Sequence, residues 1–160
     1  MIDAPLPATA DLLDEHPDAR VIDLALASYG GRSHFAGRAA TVSCVEDNVL
    51  LRQLLATPGE GRVVVVAGGG SRRTALLGDQ MATLAADNGW AGLVLDAAVR
   101  DVAALAGIGV GIVALGSCPR RSDKRGTGVT EVPVVLGGIS IRPGDLVVAD
   151  EDGVVVLPAG

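Results

Sequence analysis

Val63-Val64-Val65-Val66 is the longest valine run in the chain, and Ala67 extends it. Four consecutive β-branched side chains disfavour a helix and project to both faces of a strand. A strand that is apolar on both faces must be covered on both, so the run calls for a layered α/β domain rather than a one-faced sheet. The chain around it, Val63 to Asp101, reads as one continuous unit. Gly68-Gly69-Gly70 is expected to turn the chain, and Ser71 to cap a helical segment from Arg72 to Leu77. Gly78-Asp79 interrupts that segment. Gln80 to Asp87 reads as the next helix, with Met81, Leu84 and Ala85 inward, closed by Asn88-Gly89. Ala91 to Leu95 is a second apolar strand that leads to Arg100-Asp101. Two carboxylates and an arginine thus fall at element ends, where α/β proteins place their chemistry.

The flanking sequence supplies the other layers. Thr9 can cap a short helix, Ala10 to Glu15, and Val21 to Leu24 reads as extended. Ala39 to Val45 alternates as a strand, and Glu46-Asp47-Asn48 precedes a helix from Val49 to Ala56, stopped by Thr57-Pro58-Gly59. Asp101 to Leu105 reads as a short helix and Gly111 to Leu115 as a strand. Ser117 to Gly128 is basic and poor in apolar residues, the signature of an exposed or mobile loop. The last third holds four short strands, Val134 to Leu136, Ile139 to Ile141, Leu146 to Ala149 and Val154 to Leu157. Pro143-Gly144-Asp145 and Asp152-Gly153 are turns between them. No repeat or linker divides the sequence, so residues 1–160 are expected to form one α/β domain with helices on a mixed sheet.

Composition removes several function classes. A net charge of -6 opposes general nucleic-acid binding. Tyr29, Phe35 and Trp90 are the only aromatics, too few for a base-stacking platform. No apolar segment approaches the ~20 residues of a membrane span. Met1 to Pro5 lacks a basic region and an apolar signal core, so a cytoplasmic protein is expected. Cys44 and Cys118 have no metal-ligand spacing and read as reduced thiols. A core of small aliphatic side chains buries little area per residue, which favours subunit contacts.

The glycine triplet is not a nucleotide loop. The dinucleotide fingerprint requires glycine where Arg73 stands, and the phosphate loop requires a closing Gly-Lys-Ser/Thr; both fail. A methyltransferase reading likewise finds no glycine-rich adenosylmethionine motif after a first strand. A helix starting at Gly78-Asp79-Gln80-Met81 would present free N–H groups to a carboxylate, or Asp79 would simply cap it. Arg100 offers a planar fork for a carboxylate and Asp101 a hard oxygen for Mg²⁺ or Mn²⁺. Taken alone, the pair reads rather as a surface pair, or as a helix cap by Asp101, than as a site. His16 and His34 read as surface residues, and Asp150-Glu151-Asp152 as a solvated turn. Arg120, Arg121, Lys124 and Arg125 could gather an anionic substrate, but read rather as a solvated loop.

The segments GGRSHFAG, CVEDN, GGGSRRTALLGDQMATLAADNGWAG, AAVRD, LGGISIRPGD and ADEDGVVV together resemble the RraA-like family. That family includes 4-hydroxy-4-methyl-2-oxoglutarate aldolases and the regulator of ribonuclease E activity. The resemblance runs from about Leu12 to Val156. The family's aldolases carry an aspartate, twenty residues, then Arg-Asp; here Asp79 precedes Arg100-Asp101 at that spacing. The resemblance implies that Gly78, Asp79, Gln80 and Met81 contact the substrate, with Arg100 on the pyruvyl group. It also implies Asp101 on a divalent cation (Mg²⁺ or Mn²⁺) and Asp79 positioning a water bound to that cation. It implies no lysine Schiff base, which agrees with Lys124, the sole lysine, lying in the basic loop. The implied reaction is cleavage to pyruvate through its enolate, with oxaloacetate decarboxylation as a side activity. The implied fold is an α/β sandwich like the swivelling phosphohistidine domains, assembled as a homotrimer with its site between subunits. The alternative it implies is a non-catalytic protein that binds and inhibits a ribonuclease E-type partner. The Asp-x20-Arg-Asp set favours the enzyme, since a binder has no need of it.

Overall fold

The structure, a computed structural model, describes residues 5–160; Met1 to Ala4, part of the segment read above as lacking a signal core, lie outside the described residues. The valine run is the centre of the molecule. Strand β3 (Phe35–Ser43), β4 (Val63–Leu77), β5 (Gly92–Val99) and β6 (Gly111–Ser117) form a parallel sheet in that order. Val63 to Val66 are completely buried. Val64 and Val66 face α2 (Val49–Leu55) and α3 (Asp79–Asp87) across one core that includes Leu51, Leu55, Met81, Ala85 and Trp90. Val63 and Val65 face the opposite way, into a second core with Val147, Ala149, Val154 and Val156. Those residues lie on β10 (Leu146–Asp150) and β11 (Gly153–Leu157). The two-sided run therefore has a layer on each face, as its composition requires.

A single strand joins the two sheets. The first half of β3 pairs antiparallel with β10, from Ala149↔Phe35 to Leu146↔Arg38, and its second half pairs parallel with β4 from Ala39↔Val63. Strand β1 (Arg20–Val21) continues the antiparallel side beyond β11, and β2 (Ala27–Ser28) closes the other edge against β6. A hairpin of β8 (Val134–Leu136) and β9 (Ile139–Ile141) packs onto the second core. Phe35 lies flat on two glycines. A Cβ on Gly92 or Gly111 would sit 2.3 or 2.0 Å from its ring, so both strands need glycine there. The result is one mixed α/β domain, and among the described residues no helix is long and apolar enough to cross a membrane.

Four local expectations give way. Arg72 to Leu77 is not helical: β4 runs through it to Leu77. The glycines do not end the strand either. Register with β5 slips between Val66↔Leu95, Ser71↔Ala97 and Ala75↔Ala98, so residues 67–74 bulge outward before the strand resumes. Gly69 and Gly70 make the bulge with φ of 69° and 74°, and the Asp96 carboxylate accepts the Gly70 N–H. Leu76 and Leu77, read as helical by local composition, are both buried, and tertiary burial overrides the propensity. Thr9 does not cap α1 (Thr9–Glu15) either, because it is the first helical residue. Asp150, from the turn read as merely solvated, accepts the Thr9 N–H at 2.8 Å and its hydroxyl at 2.7 Å.

The Asp150 contact has a measurable consequence. Burial pushes its pKa up, but the Thr9 and Asp152 hydrogen bonds and the nearby His34 outweigh that, so the net shift is downward. A carboxyl depressed in the folded state stabilises fully above its unfolded pKa of about 3.9 and loses that contribution as pH falls from there through its lower folded pKa. Asp150→Ala should cost about 1–2 kcal/mol at pH 7. Urea melts of both proteins should show this difference shrinking by pH 3; a constant difference would contradict the assignment.

Candidate active site

Helix α3 starts where β4 stops, and β5 returns parallel to β4. The start of α3 and the end of β5 therefore lie at the same end of the sheet. This is how the chain brings Gly78 and Asp79 beside Arg100 and Asp101. The Asp79 N–H donates to Asp101 Oδ2 at 3.0 Å, and the Arg100 N–H donates to the Leu77 carbonyl at 2.9 Å. All six residues expected from the sequence, Gly78, Asp79, Gln80, Met81, Arg100 and Asp101, line one cavity of about 160 Å³.

The capping alternatives resolve in an unexpected way. Asp79 is the first residue of α3, and Gly78 occupies the cap position without a side chain to offer. Asp101 caps α3 across 22 residues of sequence, while its own backbone, at φ 59° and ψ 42°, sits just before α4 (Val102–Leu105). Aspartate tolerates this left-handed conformation better than most residues. It turns the exposed carboxylate back over the cavity mouth. A Cβ at Gly78 would lie 2.6 Å from Asp101 Oδ2, so glycine makes the room in which that oxygen sits.

The basic loop is exposed, but its backbone is pinned. The Ala75 N–H donates to the Arg120 carbonyl at 2.7 Å and the Asp123 N–H to the Glu46 carbonyl at 2.8 Å. Buried Asp47 accepts the Arg125 N–H at 2.8 Å and the Thr127 hydroxyl at 3.2 Å. Burial raises the Asp47 pKa, but these bonds and the one from the Val49 N–H outweigh it, so the shift is downward. The loop consequently delivers Arg121 and Lys124 to the cavity, where Arg52 of α2 and Asn48 join them. Arg121 and Lys124 are exposed, as the loop reading expects, and they also line the cavity, which removes loop placement as an argument against a lysine mechanism. Lys124 Nζ donates to Asn48 Oδ1 at 2.5 Å. Burial, then the charges of Arg100, Arg52 and Arg121, push its pKa down against a smaller opposing pull from Asp47. Arg52 carries no local signal, and Asn48 reads only as part of the CVEDN segment that leads into α2; the packing of α2 against α3 brings both to the cavity.

Among the described residues no three His, Cys, Asp or Glu side chains are grouped to hold a metal. The donor set suits a hard cation that keeps waters and takes substrate oxygens beside one or two carboxylates, as Mg²⁺ does. Asp79 and Asp101 are the carboxylates at the cavity that could offer such an ion an oxygen. Cys44 is buried, and burial and then Asp47 push its thiol up to about 11, which disfavours the thiolate.

The family model RraA-like, described as Aldolase/RraA, matches residues 9–156. A solved structure from Geobacillus kaustophilus HTA426, named S-adenosylmethionine:2-dimethylmenaquinone methyltransferase, is 44% identical and superposes with a TM-score of 0.94, covering 96% of each chain. The RNA-processing inhibitor RraA from Thermus thermophilis is 42% identical with a TM-score of 0.94, covering 97% of this chain and 94% of its own. RraAS2 from Streptomyces coelicolor, an unusual member of the RNase ES inhibitor RraA protein family, is 31% identical with a TM-score of 0.75, covering 93% and 77%. A match along nearly the whole chain, with the Asp79 and Arg100-Asp101 pair meeting at one cavity, has one reading: the chain belongs to the RraA-like family.

Proposed function

We propose that this chain is a divalent-metal-dependent carbon–carbon lyase that cleaves 4-hydroxy-4-methyl-2-oxoglutarate into two molecules of pyruvate and decarboxylates oxaloacetate as a side reaction. The observation that carries it is the Asp79 N–H to Asp101 Oδ2 contact, which ties the start of α3 to the end of β5 beside Arg100. The substrate's C1 carboxylate takes the Arg100 fork and the free N–H groups of Gln80 and Met81 at the start of α3. A divalent cation held by Asp101 would supply Lewis acidity at the 2-oxo group. The Asp79 carboxylate, through one water, accepts the proton of the 4-hydroxyl. As C4–O becomes a carbonyl, the C3–C4 bond breaks and its electron pair moves to the C2 oxygen as the enolate. Arg100 meets that developing charge, and the proton held at Asp79 returns to C3. Oxaloacetate loses CO₂ to give the same enolate, which accounts for the second activity.

The test is a substrate panel of 4-hydroxy-4-methyl-2-oxoglutarate, 4-carboxy-4-hydroxy-2-oxoadipate and oxaloacetate, assayed with Mg²⁺ or Mn²⁺ and with chelator. Pyruvate should form with metal and stop with chelator. Borohydride added with pyruvate should leave the protein mass unchanged; a stable pyruvyl adduct on Lys124 would replace this mechanism with a Schiff base. The relatives named as inhibitors support a second reading, a protein partner of the ribonuclease E type bound by the acidic surface. A pull-down with a ribonuclease E scaffold segment tests it. We further propose a cytoplasmic homotrimer with neighbouring subunits completing the cleft, for which solution mass is the check.

A further inference from the structure

Lys124 is the sole lysine of the chain, and the proposed reaction gives it no task. It lines the cavity with three guanidinium groups: Arg52 from α2, Arg100 from the end of β5 and Arg121 from its own loop. The acids at that cavity are Asp79 at the start of α3 and Asp101 after β5, while buried Asp47 pins the loop. Among the described residues the ion pairs are Arg73 with Glu46 and Arg125 with Asp123, so Lys124 is in neither. Its Nζ donates to Asn48 Oδ1 at 2.5 Å. Asn48 is fixed in turn, because its amide N–H groups go to the Leu76 carbonyl at 3.0 Å and to Met81 Sδ at 3.1 Å. Three guanidinium charges oppose a further positive charge beside them and favour the neutral amine, the direction in which Lys124 is shifted. The same charges favour an anion on that nitrogen still more. A neutral amine is a nucleophile, and the electrophile that turns it into an anion is CO₂.

We infer that Lys124 is a modification site that takes up CO₂ as a carbamate, stabilised by Arg52, Arg100 and Arg121. The neutral Nζ forms a bond to the carbon of CO₂. The electron pair of one C=O bond moves onto oxygen, and one proton passes from nitrogen to water. Counted from the ammonium, two protons leave and one CO₂ is gained, and nothing is oxidised or reduced. The side chain thereby changes from a cation to an anion. The carbamate nitrogen keeps one N–H, so the bond to Asn48 Oδ1 survives, and its two oxygens suit guanidinium partners. The product adds a third anionic oxygen group to a cavity that holds two carboxylates. It also ties up the nitrogen that a Schiff base would need. Dissolved CO₂ suffices for the modification, so it does not depend on the proposed function.

The test is carbon NMR of the full chain in isotope-labelled bicarbonate at neutral pH. A carbamate carbonyl resonance, separate from bicarbonate and dissolved CO₂, should appear and should vanish on acidification as the carbamate protonates and releases CO₂. Lys124→Arg keeps a cation at this exposed position and should lose the resonance, leaving only the signal of the N-terminal amine. Alkylation with a trialkyloxonium salt should trap the carbamate as an ester on the peptide that carries Lys124, read by mass. Arg52→Gln and Arg121→Gln, both at exposed positions, should each lower the occupancy at fixed bicarbonate by about threefold, the scale of one partly screened charge contact. Arg20→Gln on the antiparallel side should not. A wild type with no signal beyond the N-terminal amine overturns the inference, as does a resonance that survives acid or persists in Lys124→Arg. Occupancy unchanged in both cleft variants overturns it too. None of these readouts uses turnover, so the proposed lyase activity stands or falls separately.

Discussion

Asp101→Asn should reduce metal-dependent pyruvate formation by roughly a thousandfold or more, the scale on which removing a principal electrostatic element acts. Asparagine is the informative substitution. It tolerates the left-handed backbone at φ 59° and keeps an oxygen that can accept the Asp79 N–H, so the start of α3 stays capped. What it loses is the negative charge that a hard cation requires. Asp101→Ala should be equally inactive but less stable, by about 1–2 kcal/mol, because it also loses the cap and strains the backbone. Steady-state rates across a magnesium titration, with thermal melts of both variants, separate the two effects. Wild-type turnover by Asp101→Asn in magnesium would show that the cation is held elsewhere.

The layered fold was legible from local rules and the meeting of Asp79 with Arg100-Asp101 from their spacing, whereas the roles of these residues rest on the family resemblance. The valine run demands two covering layers, and the core residues on either face of Val63 to Val66 supply them. The twenty-residue spacing between Asp79 and Arg100 is one helix and one returning strand, which necessarily brings both ends to the same edge. The misread parts depend on distant partners. Arg72 to Leu77 reads as helical, and only pairing with β5 and burial of Leu76 and Leu77 make it a strand. The basic cluster is visible in the sequence but its place at the cavity is not, because Lys124 is placed by Asn48 and by a loop pinned to Asp47, 78 residues away from Arg125. Nor does any helix-cap rule foresee that the residue before α4 caps α3.

Gly78→Ala tests that arrangement at its tightest point and should cut kcat/KM by about a hundredfold with little loss of stability. Gly78 has φ -126° and ψ -168°, an extended conformation open to alanine, so no backbone strain arises. The added methyl meets Asp101 Oδ2 at 2.6 Å and the Arg100 side chain, at Cγ and Nε, at 3.4 Å. Both neighbours are side chains that can swing away, so the fold yields at the site rather than at the core. Asp101 then leaves the Asp79 N–H, and Arg100 moves with the groups it must meet in the transition state. Displacement of about an ångström at such a constellation costs on the order of 10²-fold. The magnesium requirement should rise in parallel, because the displaced carboxylate is the proposed ligand. A melting temperature within a few degrees of wild type, with activity lost, is the expected pair of results. Wild-type kcat/KM in Gly78→Ala would mean that the contact between Asp101 and the start of α3 has no part in the chemistry.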